Sequence, residues 1–348
     1  MSTIEAPRAL SAASRGRHRH RHSRARRRLP LWAAIVGWVV IGGLGIVLAL
    51  RLFAWDRFEP FAILNDLTLF IYLPAWIVVV VAAVGRRFVL AAAALLVVVL
   101  QIVLVAPEFA AAQPAPAWTD HAPSIRLLDA NVYNENQSMA GYAAEIKAYR
   151  PGLLTMEEAS PTDALQLKTE GALVGLPHQV EIDRYDPFAF FVASRYPIVK
   201  TDVVYNSFGL PLIFQMTVVL PSGPQPLWVV HTIAPLPRSF HAWKDGLATI
   251  DGALAARGTK GLLVVGDFNA TWQSRGFRSI LSTGLTDGAA ARGKALDMTW
   301  SQVEHPLPPF VRIDHVLTGA GVAVTRIQTG PGPGSDHRDL QAVVAFDR

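Results

Sequence analysis

Carboxylates, carboxamides and histidines recur where short apolar runs stop in the second part of this chain. Ser124–Asp129 leads to Asn131, Leu153–Met156 to Glu157 and Glu158, and Leu227–Val230 to His231. Leu262–Val265 leads to Gly266-Asp267-Phe268-Asn269, and Phe310–Ile313 to Asp314-His315. Ser335-Asp336-His337 precedes the last run, Leu340–Phe346. Each has an ordinary structural explanation when taken alone. Asp and Asn cap turns through their own backbone, a lone histidine is often a satisfied core side chain, and Glu157-Glu158 suits a solvated helix start. As a set they suit hard-cation binding, since Mg²⁺ takes one or two carboxylates plus substrate oxygens. They also suit phosphoryl chemistry, in which imidazoles that titrate near neutrality move protons.

The elements that must position these residues are short. Runs of four to eight apolar residues bounded by turn formers read as buried strands, and Phe188–Val192, ending at Ser194-Arg195, is another. Helix-like stretches lie between them, at Met139–Arg150 and Phe240–Arg257. The pattern predicts an α/β domain with sheets inside and helices outside. Polar residues at strand ends then gather along one rim.

The motifs LLDANVY (127–133), LLTMEEA (153–159), VASRYPI (192–198), VVHTIAP (229–235), GDFNA (266–270), RIDHVL (312–317) and SDHRDLQAVV (335–344) occur in a fixed order. In that order the chain resembles the endonuclease/exonuclease/phosphatase family, the DNase I-like metal-dependent phosphoesterases, over essentially all of 124–348. The resemblance implies a four-layer α-β-β-α sandwich with two facing sheets. It implies that Asn131 and Glu158 bind a divalent metal, Mg²⁺ with Mn²⁺ as substitute, with Asp336 near it. His231 falls where relatives have a histidine that protonates the leaving oxygen. Asp267 and Asn269 resemble the pair that positions the attacking water and the phosphoryl oxygens. Asp314 resembles a carboxylate that orients His337, and Ser335 is expected to support the site from behind. Two positions depart from the family pattern. Glu157 stands where glutamine usually precedes the metal-binding glutamate, and position assigns the metal to Glu158. Tyr133 and His231 differ from the branch that attacks abasic DNA.

The rest of the chain differs in composition. Of 348 residues, 51% are apolar and 17% charged, and none is cysteine, which excludes a disulfide scaffold, thiolate zinc and cysteine catalysis. The formal charge of +5 comes from the N-terminus: residues 1–30 carry nine arginines and one acid, whereas residues 109–348 carry 19 basic and 22 acidic side chains. The second part therefore has no general attraction to polyanions. Three apolar stretches, about 29–50, 67–84 and 88–106, are long enough to cross a bilayer at 1.5 Å per residue. The positive-inside rule puts the basic tail, 1–28, and Arg86-Arg87 in the cytoplasm and everything after Pro107 outside. Residues 109–123, rich in alanine and proline, read as a semi-rigid linker to the domain at 124–348.

The expectation is a multi-pass membrane protein with an extracytoplasmic, metal-dependent phosphodiesterase or phosphomonoesterase. The bilayer is its expected partner, and nothing in the sequence calls for an obligate protein partner. An acidic domain tethered near lipid fits a lipid-linked phosphoester. An extracellular nuclease is the alternative, using a local groove of Arg238, Arg275 and Arg338; an inactive binding or scaffold module is the third. Trp272 and Tyr133 stand near the motifs, where they either stack on substrate or pack into loops.

Overall fold

The computed structural model describes residues 28–182, 188–302 and 308–347. The expected basic tail, apart from Arg28, lies outside the described residues.

Among the described residues, twelve strands form two six-stranded sheets. The first contains β1 (Ser124–Asn131), β2 (Leu153–Glu157), β3 (His178–Ile182), β4 (Phe190–Ser194), β11 (Val322–Thr329) and β12 (Leu340–Phe346), in the order β11-β12-β1-β2-β4-β3. The second contains β5 (Ile198–Tyr205), β6 (Pro211–Leu220), β7 (Gly223–His231), β8 (Leu263–Asp267), β9 (Thr286–Asp287) and β10 (Asp314–Thr318), in the order β5-β6-β7-β8-β10-β9. Side chains alternate between two apolar environments. Leu127, Val229 and Val265 face the core between the sheets, while Leu128, Val230 and Val264 face helices. Both faces of the central strands are therefore buried, which is why they read as continuous apolar runs. Helices α6 (Ala140–Tyr149) and α7 (Pro161–Thr169) cover the first sheet; α8 (Phe240–Arg257) and α9 (Arg275–Ser282) cover the second. This is the expected four-layer α-β-β-α sandwich.

Two strand pairs are parallel, β1 with β2 and β7 with β8, each joined through a covering helix. Their carboxyl ends carry Asn131 beside Glu157 in one sheet and His231 beside Asp267 in the other. One expectation shifts in register. The run Phe310–Ile313 is not a strand; Val311 makes only an isolated bridge to Trp300, and β10 begins at Asp314. Because β10 runs antiparallel to β8, its first residue pairs with the last residue of β8, so Asp314 still sits beside Asp267.

Ahead of the sandwich, α1 (Leu31–Phe53) and α5 (Phe88–Ala110) are each long and apolar enough to cross a membrane. The stretch expected as the second span, 67–84, starts at a sharp bend. Helix α2 (Glu59–Asp66) meets α3 (Thr68–Ile71) and α4 (Leu73–Val84) at a 73° bend. Gln101, the one strongly polar side chain of the third stretch, serves this break: its amide donates to the carbonyls of Thr68 and Leu69 and accepts from Trp76 Nε1. Carbonyls freed at the bend thus keep partners away from water.

The helices and the sandwich are fastened together by buried polar contacts. Glu108, at the end of α5, accepts from Arg312 at 2.7 Å. Asp66 accepts from Thr271 Oγ1 at 2.7 Å, and Asp56 accepts from Ser274 and the Arg275 N–H. Arg51 and Trp55 both donate to the Gln273 carbonyl. The stretch expected as a linker is also tied down, since Gln113 exchanges hydrogen bonds with Ala291 and Arg292.

Candidate active site

The residues singled out in the sequence converge on a pocket of about 550 Å³ at the strand ends. Tyr133, Glu158, His231, Asp267, Asn269, Asp336 and His337 line it. Asn131 crosses between the sheets, donating to Glu158 Oε1 at 3.0 Å and to Asp267 Oδ2 at 3.1 Å, and accepts the Tyr133 N–H. Asp267 also accepts from the backbone and side chain of Asn269, at 2.7 and 2.9 Å. Its Oδ2 lies 3.9 Å from His231 Nε2 and 3.8 Å from His337 Nε2, so one carboxylate oxygen faces two imidazoles.

Asp314 accepts from His337 Nδ1 at 2.9 Å, leaving Nε2 aimed toward Asp267 and Asp336. Ser335 holds this arrangement from behind, donating to the Asn131 carbonyl and accepting the His337 N–H. Trp300, which the sequence reading did not single out, donates to Asp336 at 3.0 Å. Trp272 packs into a loop and donates to Asp287, so the packing alternative describes it.

Burial acts differently on the charged groups. It opposes charge on His337, but Asp314, with Asp267 and Asp336, overrides it and raises the imidazole to about 10. His231 has no such partner. Burial lowers it, with Glu158 opposing at 3.4 Å, so it is neutral in the free site while His337 is cationic. Burial and the charge of Asp314 push Asp267 well above the usual carboxylate range, against His337 and the two asparagines.

Glu157 and Glu158 point to different surroundings. Glu157 ends β2 and is fully buried, and both its oxygens lack a hydrogen-bond partner among the described residues. Burial, with Asp129, Asp314 and Asp267 nearby, pushes its carboxyl far up. Its neighbour Gly266 has φ +124°, and a Cβ there would lie 2.1 Å from the Val230 carbonyl and 2.8 Å from Glu157 Oε1. Glu158 instead turns into the pocket through a left-handed backbone, φ +59°, and accepts the Asn134 N–H at 2.9 Å. Such strain in a non-glycine residue is characteristic of functional positions.

Two acidic groupings bear on a metal. Asp267, Asp314 and His337 place ligand atoms within 4.8 Å of one another. His337 is paired with Asp314 there through Nδ1. Glu158 and Asp336 face the same pocket; burial raises the Asp336 carboxyl, with His337 and Trp300 opposing and the charge of Glu158 adding to the rise. Two fixed carboxylates opening on one solvent-reachable pocket fit a hard divalent cation.

The sequence profile of the Endonuclease/Exonuclease/phosphatase family matches residues 130–337. The chain belongs to this family. Solved structures agree on its fold. The humanized TDP2 of D. rerio superposes with a TM-score of 0.54 at 14% identity, covering 64% of this chain and 99% of that one. A family protein from Bacteroides thetaiotaomicron gives 0.52 at 16% identity, covering 66% and 100%. The 3′ phosphatase NExo from Neisseria, bound to a product DNA hairpin, gives 0.51 at 17% identity, covering 64% and 100%. No curated protein sequence matches the chain. The family segment begins beyond α5, so the N-terminal helices lie outside the matched region.

Ile63, Asp66 and Leu67, from α2 and its end, also line the pocket. In sequence they fall between or inside the expected membrane spans, where no role is evident. Asp66, a lone acid at the edge of an apolar run, was the available signal.

Proposed function

We propose that this protein is a membrane-anchored, divalent-metal-dependent phosphoester hydrolase, acting on a phosphodiester or phosphomonoester, with its catalytic domain outside the cytoplasm. Asp267 Oδ2, within 3.9 Å of both His231 Nε2 and His337 Nε2, is the observation that carries the reading. Glu158 and Asp336 would hold the ion, with Asn131 fixing Glu158. When bound, Mg²⁺ or Mn²⁺ neutralises charge on the phosphoryl oxygens.

The chain's own residues do the rest. Asp267 aligns the attacking water in line with the ester bond and takes its proton. Asn269, whose amide donates to Asp267 and to the Thr232 carbonyl, holds the Asp267 carboxylate in place for that water. Cationic His337, fixed in tautomer by Asp314, stabilises the negative charge that builds on the phosphoryl group. The water oxygen bonds phosphorus, the ester P–O bond breaks, and the leaving oxygen takes a proton from His231. His231 is neutral in the free site and gains that proton when an anionic ester arrives beside it.

Orientation rests on the nine N-terminal arginines and Arg86-Arg87, which favour the cytoplasmic side. External protease on intact spheroplasts is expected to remove the sandwich domain and spare an N-terminal tag; the opposite pattern refutes the placement. For the activity, purified full-length protein in detergent is expected to hydrolyse bis-p-nitrophenyl phosphate with Mg²⁺ or Mn²⁺ and to stop with chelator. Hydrolysis indifferent to chelator would contradict the metal-dependent reading.

A further inference from the structure

The pocket that holds the reacting groups is walled on one side by the broken membrane segment. Ile63 and Leu67 line it together with Phe188, Ile233, Leu236 and Phe310, and with Asp267 and His337. Ile63 is 38% exposed and Leu236 59% exposed, so large apolar side chains remain uncovered at this pocket. Uncovered apolar side chains beside a few convergent polar groups are the usual composition of a site for an apolar ligand.

The wall is built, not incidental. Asn65 donates to Asp56 at 2.7 Å, Asp56 holds Ser274 and Arg275, and Asp66 holds Thr271. Helix α2 is thereby fixed to the loop that follows Asp267 and Asn269. Among the described residues, no lysine or arginine lines the pocket, and Arg238, Arg275 and Arg338 lie elsewhere. A nucleic acid strand, or a headgroup with several phosphates, would bring charges that nothing there neutralises. A single phosphate is matched by His337 and one divalent ion.

We infer that the substrate is a phosphoester carrying a long hydrocarbon chain, supplied by the bilayer. Its phosphate lies against Asp267 and His337, and its chain lies along Ile63, Leu67 and Leu236. Helix α2 follows α1, itself long enough to span, after one short turn at Trp55–Arg57, so the wall stands near the end of that helix. The lipid then reaches the site without leaving the membrane surface entirely. This inference rests on the hydrolase reading above and adds the substrate class.

The test uses methyl and octyl p-nitrophenyl phosphate, which share a leaving group and differ in chain length, with full-length protein in detergent. The octyl ester is expected to have a kcat/KM at least about tenfold higher, since each buried methylene favours binding. Ile63→Ser with Leu67→Ser is expected to shrink that ratio about tenfold. Leu236→Ser, on an exposed loop, is expected to shrink it less and serves if the double variant fails to fold. Equal rates on both esters, or a ratio unchanged in both variants, overturn the inference and leave the hydrolase reading intact. Should neither ester be cleaved, the hydrolase reading fails, and photolabelling with an octyl phosphate bearing a chain-end diazirine decides the rest. Labelling within residues 59–67 upholds the chain site, and its absence there overturns it.

Discussion

Asp66 on α2 accepts a hydrogen bond from Thr271 Oγ1 at 2.7 Å, tying this N-terminal helix to the loop behind Asp267. Helix α2 thus contributes both a pocket wall and a brace for the reacting groups. A hydrogen bond to a carboxylate contributes roughly 1.5–3 kcal/mol. A double-mutant cycle of Asp66→Ala and Thr271→Val, read by thermal unfolding in detergent, is expected to give a coupling of about 1–3 kcal/mol. Additive losses would mean that the contact does not hold α2 in place.

Asp287 collects the largest set of partners in the sandwich. Its Oδ2 accepts from Trp272, Arg312 and His315 at 2.8–2.9 Å, and its Oδ1 accepts the N–H groups of Ala289 and Ala290. Burial alone would raise its carboxyl, but Arg312 and then His315 hold it far below the usual range. A depressed pKa contributes stability that is complete above the unfolded value near 4 and is lost as pH falls below it. Asp287→Asn is expected to cost about 3–5 kcal/mol at neutral pH, because it leaves buried Arg312 less well paired. It is also expected to flatten the acid side of the stability–pH curve. Chemical denaturation between pH 3 and 7 measures both, and an unchanged acid slope would contradict the assignment.

Gly266 admits no side chain. A Cβ would meet the Val230 carbonyl on one side and Glu157 on the other, and φ +124° is strained for any other residue. Gly266→Ala is expected to destabilise the domain by more than 2 kcal/mol, roughly the range of overpacking plus backbone strain. A melting temperature equal to wild type would mean that β7 and β8 part easily at this point.

His231 and His337 are expected to differ in their dependence on the leaving group. His231→Ala should lower kcat about 10²–10⁴-fold on an alkyl phosphodiester, the usual weight of a general acid, and much less on a p-nitrophenyl ester. Asp314→Asn and His337→Ala should lower both substrates alike, since charge stabilisation does not depend on the leaving group. Equal losses for His231→Ala on both esters would make it a phosphate-binding residue.

Much of the sandwich was readable because its strands are buried on both faces, and apolar runs ending in polar residues announce both the strand and the site. The register of β10 was not readable. Phe310–Ile313 is as apolar as a strand, but it lies in a loop that packs beside Trp300, and pairing with β8 begins only at Asp314. Glu157 and Glu158 were separable by motif position alone, and the backbone at Glu158 supplies the physical reason by turning one carboxylate out and leaving the other in. The role of α2 was hidden because hydropathy measures composition and carries no sign of the 73° bend, beside which Gln101 reaches back to Thr68 and Leu69. The contacts of Asp56, Asp66 and Glu108 join residues roughly two hundred positions apart, and no local pattern encodes them.

The central claim is metal-dependent phosphoester hydrolysis organised around Asp267 and Glu158. Its most direct measurement is the Mg²⁺ dependence of bis-p-nitrophenyl phosphate hydrolysis by full-length wild type, Glu158→Gln, Glu157→Gln and Asp267→Asn. The account predicts a chelator-sensitive wild type and a Glu158→Gln variant needing far more Mg²⁺ for half-maximal rate. It predicts a smaller change for Glu157→Gln, and for Asp267→Asn a kcat lower by about 10²–10⁴ at saturating metal. Wild-type rates in Asp267→Asn, or an unchanged Mg²⁺ requirement in Glu158→Gln, would contradict it.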